Sequence, residues 1–236
     1  MSKRLFDFFI SIIALLLLSP ILLIFLILVF IHDKSSPLYI SPRVGKNGVI
    51  FKMIKLRSML VDADKSGVDS TSSDDFRITK LGSKIRKYKL DELTQLWNVI
   101  NGDMSLVGPR PNVKSGVDKY TVAEKKLLSV KPGITDFSSI VFSDEGEILK
   151  GRKDPDISYN QLIRPWKSRL GLIYIEKRSI FLDLKLIFYT LIAIFSRQLA
   201  LKCVVSELKK MNVDNNVIEI SKRNIDLYPY APPELM

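Results

Sequence analysis

Apolar residues crowd the start of the chain and then thin into shorter patterns. Between Phe8 and Ile31, 24 residues, only Ser11, Ser19 and Pro20 are not strongly apolar. A run that long predicts a membrane segment and not a soluble core helix. As one straight helix it would reach ~36 Å at ~1.5 Å per residue, enough for a hydrocarbon core of ~30 Å. Ser19-Pro20 falls near its middle, where proline removes a backbone donor and clashes with the preceding turn. Lys3 and Arg4 precede the run. Residues 33–60 then hold Lys34, Arg43, Lys46, Lys52, Lys55 and Arg57 against one anion, Asp33. Flanking cations favour the cytoplasmic side. Two topologies fit: a helix broken at Ser19-Pro20 that enters and leaves by one face, and a proline-kinked span. A cleavable leader does not fit, because the stretch is too long and no small-residue cleavage site follows.

Beyond the run, "PLYISPRVGKNGVIFKMIKLRSM" alternates around Asn47-Gly48, predicting a hairpin that pairs about Leu38–Ser41 with Val49–Lys55. "VDADKSGVDSTSSDDF" is polar and reads as a mobile loop. Helical spacing of Leu81, Ile85, Leu93, Leu96, Trp97 and Ile100 predicts helix between Ile78 and Ile100, stopped by Gly102. Further helices are expected in "GVDKYTVAEKKLLSV", ended by Lys131-Pro132-Gly133, and in "LIRPWKSRLGLIYIEKRS", with a polar loop over 143–160 between them. Ser179–Phe195, at 17 residues, is marginal for a span and is expected to lie in the membrane interface or pack on the core, with Asp183 and Lys185 toward the headgroups, a second span being the alternative. The tail after Ser196 ends in "YPYAPPELM" and reads as a loosely ordered extension. The fold class is α+β and mainly helical.

Charge narrows the partners. The 236 residues carry 36 Lys+Arg and 25 Asp+Glu, a net charge of +11. That suits anionic lipid, phosphorylated substrates or nucleic acid. The single Cys203 permits no internal disulfide and fits a reducing compartment. One histidine, His32, argues against zinc. Trp97 and Trp166 are expected to pack in the core or an interface.

Asp91 and Glu92 sit side by side just after Lys84, Arg86, Lys87 and Lys89, and "VGPRP" follows at 107–111. Adjacent helical residues point roughly 100° apart, so the two carboxylates should do different jobs. Nearby cations are expected to hold Asp91 ionised. An ionised Asp can attack phosphorus and split one displacement into two. The cations can spread the charge of a diphosphate, with magnesium bridging its oxygens to carboxylates. Pro109 and Pro111 fix the backbone about Arg110 and present its guanidinium with little entropy left to lose. Taken alone, an Asp-Glu pair is also ordinary helix-dipole complementation, and the proline turn an ordinary rigid loop.

Taken together, these stretches resemble the bacterial sugar transferase family, the small monotopic phosphoglycosyl transferases. The likeness rests on "KRLFD", Ser19-Pro20, "PRVGKNGVIFKMIKLRSM", "LGSKIRKYKLDELTQLWNVINGDMSLVGPRP", "KPGIT" and "YIEKRSIFLDLKLIFYTL", and covers about residues 1–195. It implies a re-entrant anchor over 1–33, a catalytic domain over 34–195 and an extension over 196–236. It implies transfer of a sugar-1-phosphate from a nucleotide diphosphate sugar, commonly UDP-linked, to undecaprenyl phosphate at the cytoplasmic membrane, with Mg2+ as cofactor, membrane lipids as partners and no nucleic acid. Asp91 is then the nucleophile and Glu92 its partner in proton handling, both also metal ligands. Arg86 and Arg110 contact phosphate or nucleotide. The chain departs from the family where "PGIT" is followed by Asp136-Phe137 in place of Gly-Trp, and where Thr94 replaces a proline. Arg152 or Lys150 is the expected substitute for an arginine the family carries in that loop. The rival readings are a membrane-tethered basic scaffold and a relative that keeps the fold without turnover.

Overall fold

The computed structural model describes residues 2–234. In chain order its helices are α1 (Ser2–Asp33), α2 (Lys80–Lys87), α3 (Gln95–Asn101), α4 (Lys114–Val117), α5 (Val122–Lys125), α6 (Phe137–Val141), α7 (Glu145–Leu149), α8 (Pro155–Ser158), α9 (Arg164–Lys177), α10 (Ile180–Phe195), α11 (Arg197–Lys210) and α12 (Asn215–Lys222). Strands β1 (Leu38–Val44) and β2 (Ile50–Leu56) form an antiparallel hairpin in register from Leu38–Leu56 to Val44–Ile50. Its turn carries Asn47 and Gly48 at positive φ, as the Asn-Gly signal required. A second pair, β3 (Ser105–Val107) with β4 (Gly133–Thr135), is parallel. Three-residue strands are too short to leave an alternation in the sequence, so it went unread.

Helix α1 is helical throughout, Pro20 included, where the sequence suggested a break. Pro20 has no N–H to offer the carbonyl of Leu16. The Ser19 hydroxyl donates to that same carbonyl at 2.8 Å and replaces the missing bond. Both ends of α1 are tied to one body. Near its start Lys3 pairs with Asp183 at 2.6 Å, and at its end Asp33 pairs with Arg57. Phe6, Ile10, Ala14 and Leu15 pack on the main core, and Phe25, Leu26 and Val29 on a small cluster with Leu56 and Ile85. The stretch between stays uncovered, with Leu16 and Leu17 about 70% exposed (69% and 73%). This is the one helix among the described residues long and apolar enough to cross a membrane.

The main core gathers α3, α6, α9, α10 and α11 around Val99, Phe137, Ile163, Trp166, Leu186 and Leu208. The segment after Ser196 is therefore not loose. Ala200, Val204 and Leu208 of α11 are core residues, and burying each such aliphatic side chain is worth roughly 1.5–3 kcal/mol. The last residues double back over α9: Tyr230 stacks on Trp166 at 4.3 Å, its N–H donates to Gln161 O, and Arg169 donates to Ala231 O at 2.8 Å. Trp166 is buried as expected, whereas Trp97 is half exposed. Helix α10 packs on the core through Leu182 and Leu186, one of its expected placements, but its charges do not face outward. Asp183 is buried against Lys3 and Tyr174, and Lys185 bonds Glu207, so the charges turn inward where partners exist. Its outer face is Phe181, Leu184, Phe188, Leu191 and Phe195, all exposed.

Candidate active site

The expected helix from Ile78 to Ile100 is split, and the split makes the site. Thr79 caps α2 by accepting from Gly82 N, and Ile85 buries its one apolar face. Lys89 then adopts a left-handed conformation, φ 54°, which ends that helix and throws Leu90–Glu92 into a single tight turn before α3. Thr94 pins the turn: its hydroxyl lies 3.0 Å from Ile54 O and 3.3 Å from Asp91 O. Asn98, one turn on, accepts from Ile54 N and donates to Lys52 O, stapling α3 to β2. The anchor grips the other end. Arg4 donates to the carbonyls of Val99 and Ile100, satisfying the C-terminus of α3, where Gly102 takes the left-handed cap. Asp7 accepts from Ser105 Oγ at 2.8 Å and from Leu106 N. "KRLFD" is thus a clamp that positions the acidic turn and the strand leading to the proline loop. Nothing in its spacing announced that role.

The proline loop is fixed by close backbone contact. Gly133 N donates to Pro109 O and Gly108 N to Thr135 O, both at 3.0 Å. A Cβ on Gly133 would stand 2.0 Å from Gly108 N, so only glycine permits the approach. Arg110 leaves this loop and donates to Glu92 Oε1 at 2.6 Å. Lys55, from β2, bridges the pair, 3.6 Å from Asp91 and 3.9 Å from Glu92. Side-chain direction in a hairpin set that position, and the linear sequence did not single Lys55 out.

Two neighbouring carboxylates thereby acquire opposite characters. Burial pushes Asp91 above the usual aspartate range, partly countered by Lys55. The expectation that cations alone would dominate there is corrected: desolvation wins. Burial also pushes Glu92 upward, but the charges of Arg110, Lys55 and Lys89 outweigh it and hold that carboxyl well below the usual range. Burial lowers Lys55. Glu92 and its neighbours raise Arg110.

Asp91, Lys55 and Arg110 line an open cleft of ≈ 960 Å³, with Glu92 behind them in contact with Arg110 and Lys55. Its walls include Asp91, Arg86, Pro109, Arg110 and Pro111, and also Arg43, Asp136, Glu145, Tyr159 and Lys167, none of which the sequence had marked for chemistry except Asp136 as a departure. The Arg86 guanidinium forms no ion pair or hydrogen bond among the described residues and lines the cleft, where a ligand can reach it. Arg152 is not brought in: it is exposed at the end of a turn, its Nε 3.5 Å from Ile148 O, and Lys150 is likewise exposed beside Glu147. Glycine 151 at φ 67° turns the chain outward there. Asp136 caps α6, accepting from Ser139 N and from the hydroxyls of Ser138 and Ser139.

No cluster of three or more metal-binding side chains exists among the described residues. Asp136 accepts from its serines, and one oxygen of Glu145 is paired with Lys167. Asp91 and Glu92 remain, a donor set that fits a magnesium ion completed by phosphate oxygens and water, and not an all-protein cage.

A buried carboxylate turn ringed by cations thus opens on a wide cleft with further cations along its lining. The comparisons carry this to a family. The bacterial sugar transferase pattern matches residues 1–197, and the chain belongs to that family. It is 37% identical over 201 residues to galactosyl transferase CpsE of Streptococcus agalactiae serotype III, covering 80% of this chain and 41% of that protein. It is 35% identical over 208 residues to the exopolysaccharide production protein ExoY of Sinorhizobium fredii, covering 82% of this chain and 85% of that protein. The UDP-glucose:undecaprenyl-phosphate glucose-1-phosphate transferase of Klebsiella pneumoniae is 37% identical over 192 residues, covering 80% and 39%. The chain thus spans most of ExoY and about two-fifths of the other two (41% and 39%).

Proposed function

We propose that this chain is a membrane-associated phosphoglycosyl transferase that moves a sugar-1-phosphate from a UDP-sugar to undecaprenyl phosphate and so starts a surface glycan. The observation that carries the reading is the Asp91–Lys55–Glu92–Arg110 cluster at the cleft. An Asp91 oxygen attacks the phosphorus that bears the sugar, forming an acyl-phosphate bond as the bond to the departing UMP breaks. An oxygen of undecaprenyl phosphate then attacks the same phosphorus. The acyl-phosphate bond breaks, the carboxylate returns and the diphosphate-linked lipid leaves. Burial makes Asp91 a more basic nucleophile, and Lys55 offsets the cost of its charge. Glu92, held ionised, does not carry protons near neutral pH. It orients Arg110 toward the phosphates, beside Arg86. Magnesium, held by Asp91 and Glu92, would supply neutralising charge to the diphosphate.

The two ion-paired ends of α1 favour a monotopic anchor, because a helix tied to one body at Lys3 and at Asp33 cannot leave its flanks on opposite membrane faces. Its uncovered apolar stretch and the outer face of α10 would lie in the bilayer, and the cleft would open to the cytoplasm at headgroup level. Cysteines placed at Lys3 and Lys34 in a Cys203→Ser background should label from the same, cytoplasmic side; labelling from opposite sides overturns this topology.

The chemistry is tested by intact-mass analysis of protein given UDP-sugars and magnesium without lipid acceptor. A phospho-sugar adduct on Asp91 is expected, with UMP released. Product formation with no trappable adduct would defeat the covalent route, and no UMP release from any UDP-sugar would defeat the reading as a whole.

A further inference from the structure

The cleft lining contributed by α9 contains a cation that the proposed chemistry has not used. Arg164, Lys167 and Ser168 lie at helical spacing on one face of α9, and all three line the cleft. Two of them are spent on the fold. Arg164 binds Glu124 and Lys119 O, and Ser168 donates to Glu124 at 2.6 Å. Lys167 is different. It pairs with Glu145 and lies 5.4 Å from the centre of the Tyr159 ring, with no further hydrogen-bond partner among the described residues. An ammonium has three donors, so the ion pair leaves two for a ligand.

Its placement is enforced from behind. Trp166, the preceding residue, is locked under Tyr230 and Arg169. Asp144, preceding Glu145, is held by Arg197 at 2.9 Å and Arg223 at 3.3 Å. Glu145 and Lys167 also belong to the same electrostatic field as the acidic turn. Glu145 helps raise Arg110, while Lys167 contributes to lowering Lys89. Burial works against the Lys167 charge, but Glu145 and Tyr159 prevail and keep it protonated.

We infer that Lys167, held by Glu145 and backed by Tyr159, contacts the diphosphate of the sugar donor from the wall built by α9. It supplies the charge for which the sequence offered Arg152. The diphosphate meets Arg110 and Arg86 near Asp91 and Lys167 on α9, and an anion can share the ammonium without displacing Glu145. This rests on the reading of the cleft as a nucleotide-sugar site.

The test uses the full-length chain in nanodiscs with magnesium, comparing the wild type with Lys167→Met, Lys167→Arg and Glu145→Gln. Calorimetry measures UDP and uridine binding, and UMP release gives the donor KM. Lys167→Met should weaken UDP binding about 10- to 100-fold, the range for losing a hydrogen bond to a charged group, with uridine binding unchanged. The donor KM should rise more than kcat falls, Lys167→Arg should recover part of the loss, and Glu145→Gln should lose less than Lys167→Met. Equal UDP affinity and donor KM in wild type and Lys167→Met, beside a lowered Tm, would overturn the inference and leave the pair as a tie between α7 and α9. In that case UMP release by the wild type would leave the transferase reading standing. A wild type that binds no UDP overturns both.

Discussion

The two walls of the cleft are built by different means. The wall around Asp91 draws most of its chemistry from one stretch, Arg86 to Arg110, with Lys55 added from β2. The second wall takes Asp136, Glu145, Tyr159 and Lys167 from separate elements. It is braced by Arg197, Arg223 and Tyr230, which lie at or beyond the end of the family match at residue 197. The first wall holds groups that a common reaction would demand. The second is assembled by packing between elements distant in the chain, so changes far from the cleft can displace its groups.

The largest expected effect lies on the first wall. Asp91→Asn should lower kcat by at least about 10³-fold, as loss of a nucleophile does, with the fold intact. Its stability should move the other way. Burial raises Asp91 in the folded state, so its contribution is favourable below the ordinary aspartate range near pH 3.9 and is lost as pH rises through the raised value. Thermal melts should therefore find Asp91→Asn at least as stable as the wild type at pH 7, with the gap closing on acidification. Glu92 has the opposite sign: its folded value is depressed, so its stabilisation is present above the usual glutamate range and fades as pH falls. A strongly destabilised Asp91→Asn at neutral pH would contradict the assignment of desolvation as the dominant cause.

A second effect separates Lys55 from the other cations. Lys55→Met removes the charge that most opposes the rise of Asp91, so the acid limb of the kcat/KM profile should move to higher pH. An unmoved limb would remove Lys55 from the site. On the second wall, Tyr230→Ala should cost about 0.5–1.5 kcal/mol from the lost ring stacking alone, plus its buried area, and raise the donor KM more than it lowers kcat. A fall in kcat with KM unchanged would mean that the brace serves the acidic turn instead. The smallest effect belongs to Arg152→Ala, expected within about two-fold of wild type, since surface changes away from special features are nearly silent. A large loss there would return Arg152 to the site.

Local pattern made one wall legible and hid the other. Asp91, Glu92 and the prolines about Arg110 are informative as neighbours in the chain, and the apolar run and Asn47-Gly48 are local signals of the same kind. The split at Lys89 was hidden because the apolar spacing on either side still matches a single helix. Lys167 was hidden for another reason: a lysine in a basic chain carries no mark of burial, and only the approach of Glu145 from another helix confers one.

The sequence by itself determined the apolar anchor, the hairpin, the mainly helical class and the acidic pair with its proline loop, because each depends on residues within a few positions of one another. Tertiary structure decided that "KRLFD" clamps α3 and β3, and that α11 belongs to the core. It also decided which cations face the cleft. Burial and pairing between distant residues are properties of the packed chain, and the same packing gave two adjacent carboxylates opposite proton affinities.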